Sequence, residues 1–220
     1  MFSRLVTGVI VGLFALSGLE AQAIEKVTVG NAKVIVKTVT GTFEANLRQI
    51  NLLDDIYHNE VISTGAESAT ELVFIDETKL SIGPNSSLVL DRFVYDPDPD
   101  KASFVMTATA GVFRFVSGKL PKKSYEIHTP TATIGIRGTV FTLVVIPGGP
   151  NGDGAVVNVT VEQGVAVVTN CLGQRVSLDL SNPSTTIRGN ADGSCSAPSA
   201  PGPRPPEIAT LVVISALAGQ

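Results

Sequence analysis

The side chain best suited to bind a ligand in this sequence is Arg137, in the segment TPTATIGIRGTVFTL (residues 129–143). It stands between Gly135 and Gly138, among β-branched residues that are typical of a sheet. A guanidinium group carries five donors in a planar fork, which suits a carboxylate, a phosphate or backbone carbonyls. Arg137 therefore either binds a ligand or stabilises the fold.

The sequence favours the stabilising role. A second Arg-Gly pair, Arg188 and Gly189, ends a related segment, and a position that is used twice usually serves geometry. We expect Arg137 to lie over carbonyl groups or to pair with an acid such as Asp76 or Glu126. On this hypothesis Arg137→Ala lowers the melting temperature, and Arg137→Lys lowers it less.

An acidic loop, YDPDPDK, is a candidate cation site. Asp96, Asp98 and Asp100 occupy alternate positions, as do the first ligands of a calcium-binding loop. The glycine and the closing glutamate of such a loop are missing, and the two prolines hold the backbone extended. We interpret the loop as a solvated connection of a hairpin, without a metal.

Residues for catalysis are few. The two histidines, His58 and His128, have no recognisable nucleophile motif near them. Asp54 and Asp55 are adjacent, so in a strand they point to opposite faces and cannot share a substrate. We therefore expect no enzymatic activity and no cofactor.

Two cysteines, Cys171 and Cys195, complete the set of reactive residues. A zinc site needs four ligands, usually in close pairs, and no histidine or further cysteine stands near either cysteine in the sequence. In an exported chain the two would form a disulfide. The bond would close a loop of roughly 25 residues and stabilise the fold by ~3 kcal/mol in the chain-entropy model.

The elements that position these residues are strands. From residue 24 to about 180, apolar and polar residues alternate in short runs, broken by turns every 8 to 12 residues. This pattern predicts an all-β domain, either a sandwich or roll or a short β-solenoid of stacked antiparallel hairpins. The segment 42–60 is a helix candidate, but its apolar residues favour two strands joined by a turn at LDD.

An internal similarity supports the solenoid alternative. Residues 111–138 align with residues 164–189 through a first glycine, a proline and, after a two-residue deletion, a closing Thr-Ile and Arg-Gly. A unit that cannot close its own apolar face must stack on a neighbour. Chance similarity between two β sequences remains the other explanation.

The two ends of the chain differ from its middle. A short basic start, an apolar run and the small residues before Ala23 predict a signal peptide over residues 1–23, with an uncleaved anchor as the alternative. We expect the folded domain over residues 24–189 and a Pro/Gly/Ser-rich linker over residues 190–207. The apolar residues 208–220 either pack on the domain or attach it to a membrane, although they are too few to span one.

Three segments together resemble the FecR domain, an exported all-β module. The first is an I-x-T-G turn (residues 62–65), and the second is an acidic turn, D-E-T-K-L-S-I (residues 76–82), in which Glu77 replaces the glycine of the family pattern. The third and most specific is the T-P-x-A-x-x-G-x-R-G-T-x-F pattern. Its residues here are Thr129, Pro130, Gly135, Arg137, Gly138, Thr139 and Phe141.

The resemblance implies a binding or sensing module of the cell envelope, either periplasmic or secreted, with an envelope protein or a glycan as its partner. A role in FecR-type signal transduction and a self-stacking β assembly are the alternatives. We expect a signal peptide in place of the cytoplasmic region by which the family's regulator binds a sigma factor, and this expectation favours the first. A net charge of −4 without a basic stripe argues against nucleic acid and against anionic lipid.

Overall fold

The computed structural model describes residues 26–96, 98, 100–149 and 154–200. Within these residues the predicted all-β fold is confirmed, with fourteen strands and one 3-10 turn at Lys122–Ser124. The strands are Thr28–Val36 (β1), Val39–Phe43 (β2), Asn46–Gln49 (β3), Asp55–Tyr57 (β4), Val61–Thr64 (β5), Ala69–Phe74 (β6), Lys79–Ile82 (β7), Ser87–Val94 (β8), Ser103–Val116 (β9), Tyr125–His128 (β10), Ala132–Ile146 (β11), Val156–Asn170 (β12), Arg175–Leu178 (β13) and Ser184–Arg188 (β14).

The fourteen strands form one hydrogen-bonded network with two halves, here called sheet I and sheet II. Sheet I has the order β3-β2-β5-β8-β9-β10-β11-β12-β13, and sheet II has the order β4-β1-β6-β7-β9-β11-β12-β14. Neighbours are antiparallel except β9 and β10, which are parallel. The long strands β9, β11 and β12 belong to both sheets and bend where they pass from one to the other.

Each of the three bends contains a glycine with positive φ: Gly111 (106°), Gly138 (66°) and Gly164 (80°). A Cβ atom on Gly164 would lie 2.1 Å from the Gly138 carbonyl oxygen, and one on Gly111 would lie 2.0 Å from Ser86 Oγ. At Gly111 and Gly164 only glycine allows both this backbone conformation and this approach. At Gly138 the φ value favours glycine, but a Cβ atom would meet only the side chain of Lys122. The bends of β9 and β12 therefore depend on their glycines.

The two copies of the internal similarity share this bend and little else. Gly111 and Gly164, which the alignment matches, occupy the bends of β9 and β12. The strands that follow pair differently, because β10 lies parallel to β9 whereas β13 lies antiparallel to β12. The expected structural repeat is therefore limited to the bend, and the fold is a sandwich, not a stack of equal units.

The core lies between the two sheets and is centred on aromatic rings. Phe104 of sheet I packs edge-on against Phe74 and Phe115 of sheet II, with ring centroids 5.0 and 5.4 Å apart. Tyr125 of β10 lies 5.7 Å from both Phe104 and Phe115. Edge-to-face contacts of this kind add to the stabilisation from burial and fix how the sheets face each other.

The turns of the N-terminal half share one backbone feature. Each of the seven connections between β1 and β8 contains one non-glycine residue with positive φ. These residues are Lys37, Glu44, Leu53, Asn59, Glu67, Glu77 and Asn85. The left-handed conformation costs a residue with a Cβ atom about 1–2 kcal/mol, although asparagine tolerates it better. These connections are therefore formed at some cost in backbone strain.

Further sequence predictions concern the segment 42–60, the acidic loop and the two ends of the chain. The segment 42–60 forms strands with a turn between β3 and β4, as predicted, and not a helix. The acidic loop joins β8 and β9, which pair as a hairpin. The expected signal peptide (1–23) and apolar segment (208–220) lie outside the described residues.

We predict that Glu77→Gly stabilises the protein. The substitution places at φ 68° the residue that adopts this conformation without strain. After the greater entropy of glycine in the unfolded chain is subtracted, the expected gain is up to about 1 kcal/mol, or roughly 2–4 °C in melting temperature. Glu77→Ala is the matched control, because it removes the same carboxylate but keeps the strained φ. Equal melting temperatures for the two variants would contradict the assignment of strain.

Candidate binding face

The segment 129–141 builds the turn from β10 to β11 and the first part of β11. The Thr129 hydroxyl donates to the Ala132 carbonyl at 2.8 Å and accepts the Ala132 N–H at 3.0 Å, so that it closes the turn in which Pro130 lies. Thr129 and Pro130 thus set where β11 begins.

The residues after the bend are also structural. The Thr139 hydroxyl donates to the Val165 carbonyl at 2.7 Å, and the Thr139 N–H donates to Ser117 Oγ at 3.1 Å. Phe141 is fully buried, with its ring centroid 5.4 Å from that of Phe115. These contacts hold β11 against both of its neighbours in sheet II.

Asp76, of the acidic turn, is fully buried in a polar cluster. Its carboxylate accepts the Thr78 N–H at 3.0 Å, the Thr78 hydroxyl at 2.6 Å and the Tyr125 hydroxyl at 2.7 Å. Burial raises the pKa of Tyr125 far above its ordinary value, so this phenol remains a donor. Asp76 is out of reach of any partner and acts as a structural residue.

The same cluster fixes the loop that precedes β10. The Gly118 N–H donates to the Thr78 hydroxyl at 3.0 Å, and the Leu120 N–H donates to the Tyr125 hydroxyl at 3.1 Å. The Lys119 N–H donates to the Asp76 carbonyl at 2.7 Å. The β6–β7 turn, the loop and β10 are therefore joined at one buried point.

Arg137 does not have the role that the sequence predicts. Its side chain is exposed, and no hydrogen bond or ion pair joins it to another described residue. Asp76 is occupied by Thr78 and Tyr125, and Glu126 pairs with His128 at 2.7 Å. The predicted pairing of Arg137 with Asp76 or Glu126 is therefore wrong, because the residue precedes a bend that turns its side chain to solvent.

Arg137 projects from the outer face of sheet I, where the register of four strands places ten residues side by side. We call this surface the Arg137 face. Its members are Glu126, His128, Thr133, Gly135, Arg137, Val165, Val167, Thr169, Arg175 and Ser177. The face is flat, is mostly small or β-branched, and contains no Phe, Tyr or Trp.

Gly135 lies in the middle of this face without a steric reason for being glycine. A Cβ atom there would meet nothing closer than the Val167 carbonyl oxygen at 3.9 Å, which is an ordinary contact. Gly135 also has no positive φ, unlike Gly138. Its effect is to leave the backbone beside Arg137 open to an approaching molecule.

Three cations and one acid lie around the open backbone, and the acid, Glu126, is directly across from Gly135 and pairs with His128. Arg175 is exposed at the edge of the face, and it shares with Arg137 the lack of a partner among the described residues. The side chain of Lys122 passes over Gly138, with its Cε 3.1 Å from the position of a Cβ atom. Since the whole chain carries a net charge of −4, this local excess of cations is unlike the rest of the protein.

Arg188 and Gly189 lie far along the chain, at the end of β14. The Arg188 side chain is exposed. The Gly189 N–H donates to the Ala155 carbonyl at 2.6 Å, and a Cβ atom on Gly189 would lie 3.1 Å from the Ala155 nitrogen and 3.2 Å from Thr131 Cγ2. Gly189 therefore packs closely against Ala155 and Thr131.

Cys171 and Cys195 form the expected disulfide. Cys195 belongs to residues 194–199, here called the C-terminal cap, which lie along the outer edge of β14. The linker that the composition predicts from residue 190 thus begins, in the structure, with a hydrogen-bonded segment. One bridge pairs Gly189 with Cys195 in the antiparallel direction.

Two serines attach the cap in the same way. Ser196 donates its N–H to the Arg188 carbonyl at 2.7 Å and accepts the Arg188 N–H on its hydroxyl at 3.0 Å. Ser199 does the same with Thr186, at 3.0 and 2.8 Å. Every edge-facing backbone group of Thr186 and Arg188 is satisfied by one of these two serines.

The disulfide decides whether the cap stays in place. Ordering six residues costs about 1–2 kcal/mol each in backbone entropy. The four bonds of the serines, two from Asn190 and one each from Thr185, Asn170 and Cys171 contribute about 0.5–1.5 kcal/mol each. Of the six residues only Cys195 is buried, so apolar burial adds to this sum mainly through the disulfide-bonded residue itself. The cost and the gain are of similar size, so the covalent attachment decides which state is favoured.

Sequence reasoning missed the ion pair between Arg48 and the buried Glu60. The Glu60 side chain is fully buried and accepts from Arg48 Nε at 2.7 Å, from Arg48 Nη2 at 3.0 Å and from the Tyr57 N–H at 3.1 Å. The hydrogen bond with Glu60 raises the pKa of Arg48. Arg48 also donates to the Asp55 carbonyl and thereby joins edge strands β3 and β4. A lone arginine in a strand of four residues gives no signal of this arrangement.

The remaining candidates of the sequence have ordinary surroundings. Asp96 and Asp98 each accept the backbone N–H of the aspartate two positions later, and Asp100 pairs with Lys123. His58 contacts the Asp91 carbonyl at 2.8 Å. Across the described ranges, no three His, Cys, Asp or Glu side chains are grouped to hold a metal ion.

Within the same ranges, no helix has the length and apolar character needed to cross a membrane.

Comparison with known proteins agrees with this architecture. The profile of the FecR protein family matches residues 60–168, from the start of β5 to the end of β12, and this part of the chain is a FecR-family domain. No curated protein sequence is significantly similar to the chain.

Two crystal structures of a proposed anti-sigma factor from Parabacteroides distasonis ATCC 8503 are similar to the chain at 14% identity, with TM-scores of 0.45 and 0.44. Each similarity covers 64% of this chain and 59% of the other, so the chain spans less than two thirds of those structures.

We predict that Tyr125→Phe destabilises the fold by about 1–3 kcal/mol, because it removes a donor to the buried Asp76 carboxylate and an acceptor for the Leu120 N–H. Urea unfolding of the purified chain measures this loss. Tyr95→Phe is the matched control, since Tyr95 is 54% exposed. If the two variants unfold at the same urea concentration, the Asp76 cluster does not stabilise the fold as described.

Proposed function

We propose that the chain is a non-catalytic binding module, and that the Arg137 face recognises a protein partner. The observation that supports this is the contrast within one short segment. Thr129, Thr139 and Phe141 are held by hydrogen bonds or burial, whereas the Arg137 guanidinium is free in solvent beside the open backbone of Gly135. A guanidinium group without a partner in its own chain is available to bind a group of another molecule.

The composition of the face favours a protein over a glycan. Valine and threonine side chains offer flat apolar contact, and Arg137 and Arg175 offer donors for carboxylates or carbonyls. Aromatic side chains, on which a sugar ring could stack, are absent from the ten residues that define the face. A glycan partner remains the alternative that the experiment below can reveal.

We also propose that this recognition takes place outside the cytoplasm and serves a FecR-type regulatory system. Membership of the FecR family supports the regulatory role. The disulfide supports the compartment, since such bonds persist in oxidising surroundings and are rare in the cytosol. The signal peptide expected over residues 1–23 points the same way.

We predict that Arg137→Ala and Gly135→Tyr both abolish partner binding without loss of stability. The first removes the free guanidinium, and the second fills the open space at Gly135 with a bulky side chain that a strand accommodates. Each variant should melt within about 2 °C of the wild type, because an exposed, unpaired residue contributes little to stability. Envelope extract passed over the immobilised oxidised protein should lose its specifically retained component with either variant.

Arg188→Ala is the matched control for this experiment, because it removes the same charge from an exposed arginine outside the Arg137 face. It should retain the partner. Retention of the same component by all four proteins would show that the face is not used. A lower melting temperature for Arg137→Ala would return this residue to the structural role that the sequence predicts. Loss of the retained component after glycosidase treatment would identify a glycan in place of a protein.

A further inference from the structure

We propose that the outer edge of β14 is a docking site for an extended strand of a partner polypeptide, and that the C-terminal cap keeps this site closed while the Cys171–Cys195 disulfide is intact. This site is separate from the Arg137 face and does not rest on the function proposed for it. The edge belongs to sheet II, whereas the Arg137 face belongs to sheet I.

The cap itself shows what the edge accepts. Thr186 and Arg188 each present one N–H and one carbonyl to the cap, which runs antiparallel to β14. These are the groups by which an edge strand binds an added strand. The edge is therefore a complete row of donors and acceptors, already occupied by a segment of the same chain.

The cap is a poor strand, and a regular one would bind better. The N–H groups of Thr186 and Arg188 donate to serine hydroxyls, at 2.8 and 3.0 Å, instead of to backbone carbonyls. Pro198, between the two serines, has no N–H to donate. A partner strand with an N–H and a carbonyl at every position would form the regular ladder that the cap cannot form.

On the opposite side of the sandwich, the described strands offer no comparable site. There the edge strand of sheet II is β4, and the Arg48 side chain already donates to its Asp55 carbonyl. This charged side chain blocks the edge permanently, because Arg48 is itself fixed by the buried Glu60. At β14 the cover is a tethered segment, which can leave.

Release requires reduction of one bond. A dithiol delivers two electrons and two protons to the Cys171–Cys195 disulfide, which becomes two thiols, while the dithiol is oxidised to its own disulfide. The cap is then held by hydrogen bonds and by the packing of Cys195, and its bonds to the Thr186 and Arg188 N–H groups are exposed, which places them among the first to open in a folded protein. Thr186 and Arg188 become free to bind another chain.

Amide hydrogen exchange of the full chain, followed by NMR with and without dithiothreitol, tests the first half of the proposal. Exchange at Thr186 and Arg188 should accelerate at least about tenfold on reduction. The Gly189 amide is the internal control, because it donates to Ala155 on the other side of β14 and should stay protected. Unchanged exchange at Thr186 and Arg188 overturns the proposal, and so does loss of protection at all three amides, since the edge must survive release.

A synthetic heptapeptide of alternating threonine and valine, carrying a fluorophore, tests the second half by fluorescence anisotropy. It should bind the reduced chain and the Cys195→Ser variant and shift the Thr186 and Arg188 amide signals, and it should not bind the oxidised chain. The same peptide with proline at alternate positions is the control and should not bind. Equal binding to oxidised and reduced chains, or no binding to either, overturns the docking site.

Discussion

The close approach of two backbones at the bends of β11 and β12 is the constraint on which the rest of the structure depends. A Cβ atom on Gly164 would lie 2.1 Å from the Gly138 carbonyl oxygen, so β12 could not bend beside β11 with a larger residue at this position. Because the strands pass from sheet I to sheet II at this point, the aromatic core can close between them. The same bend sends the side chain of Arg137, the residue just before it, into solvent.

Along residues 129–141, residues that stabilise the fold alternate with exposed residues, and the reason is physical. Residues that turn the chain or cross a bend must satisfy backbone groups locally, as Thr129 and Thr139 do. A residue on the outer face of a strand that is already paired on both sides has no such obligation. Arg137 and Gly135 are in that position, and this is why they can serve recognition while their neighbours serve the fold.

Much of the fold could be predicted from the sequence, because alternating apolar residues determine which face of a strand is buried. The strands, the disulfide and the FecR-type segment follow from patterns within short windows. The partner of Arg137 could not be predicted, since it depends on which residues a bend brings near. Asp76 shows the same limit, because its partner Tyr125 lies 49 positions away and carries no sequence signal of the contact.

The cap and the Arg48–Glu60 pair were out of reach for a related reason. Proline and serine predict a flexible linker when only composition is considered, yet Ser196 and Ser199 bond to β14 at the spacing of its edge groups. Edges of a sheet are defined by pairing, which is a property of the whole fold.

The uninterrupted course of β9, β11 and β12 through both sheets has a mechanical consequence. β-strands resist bending along most of their length, and here three of them are shared by both sheets. A force applied at Arg137 would enter β11 directly before its bend at Gly138 and would reach the opposite sheet through that bend. The bend is thus the point at which this strand joins the two sheets mechanically.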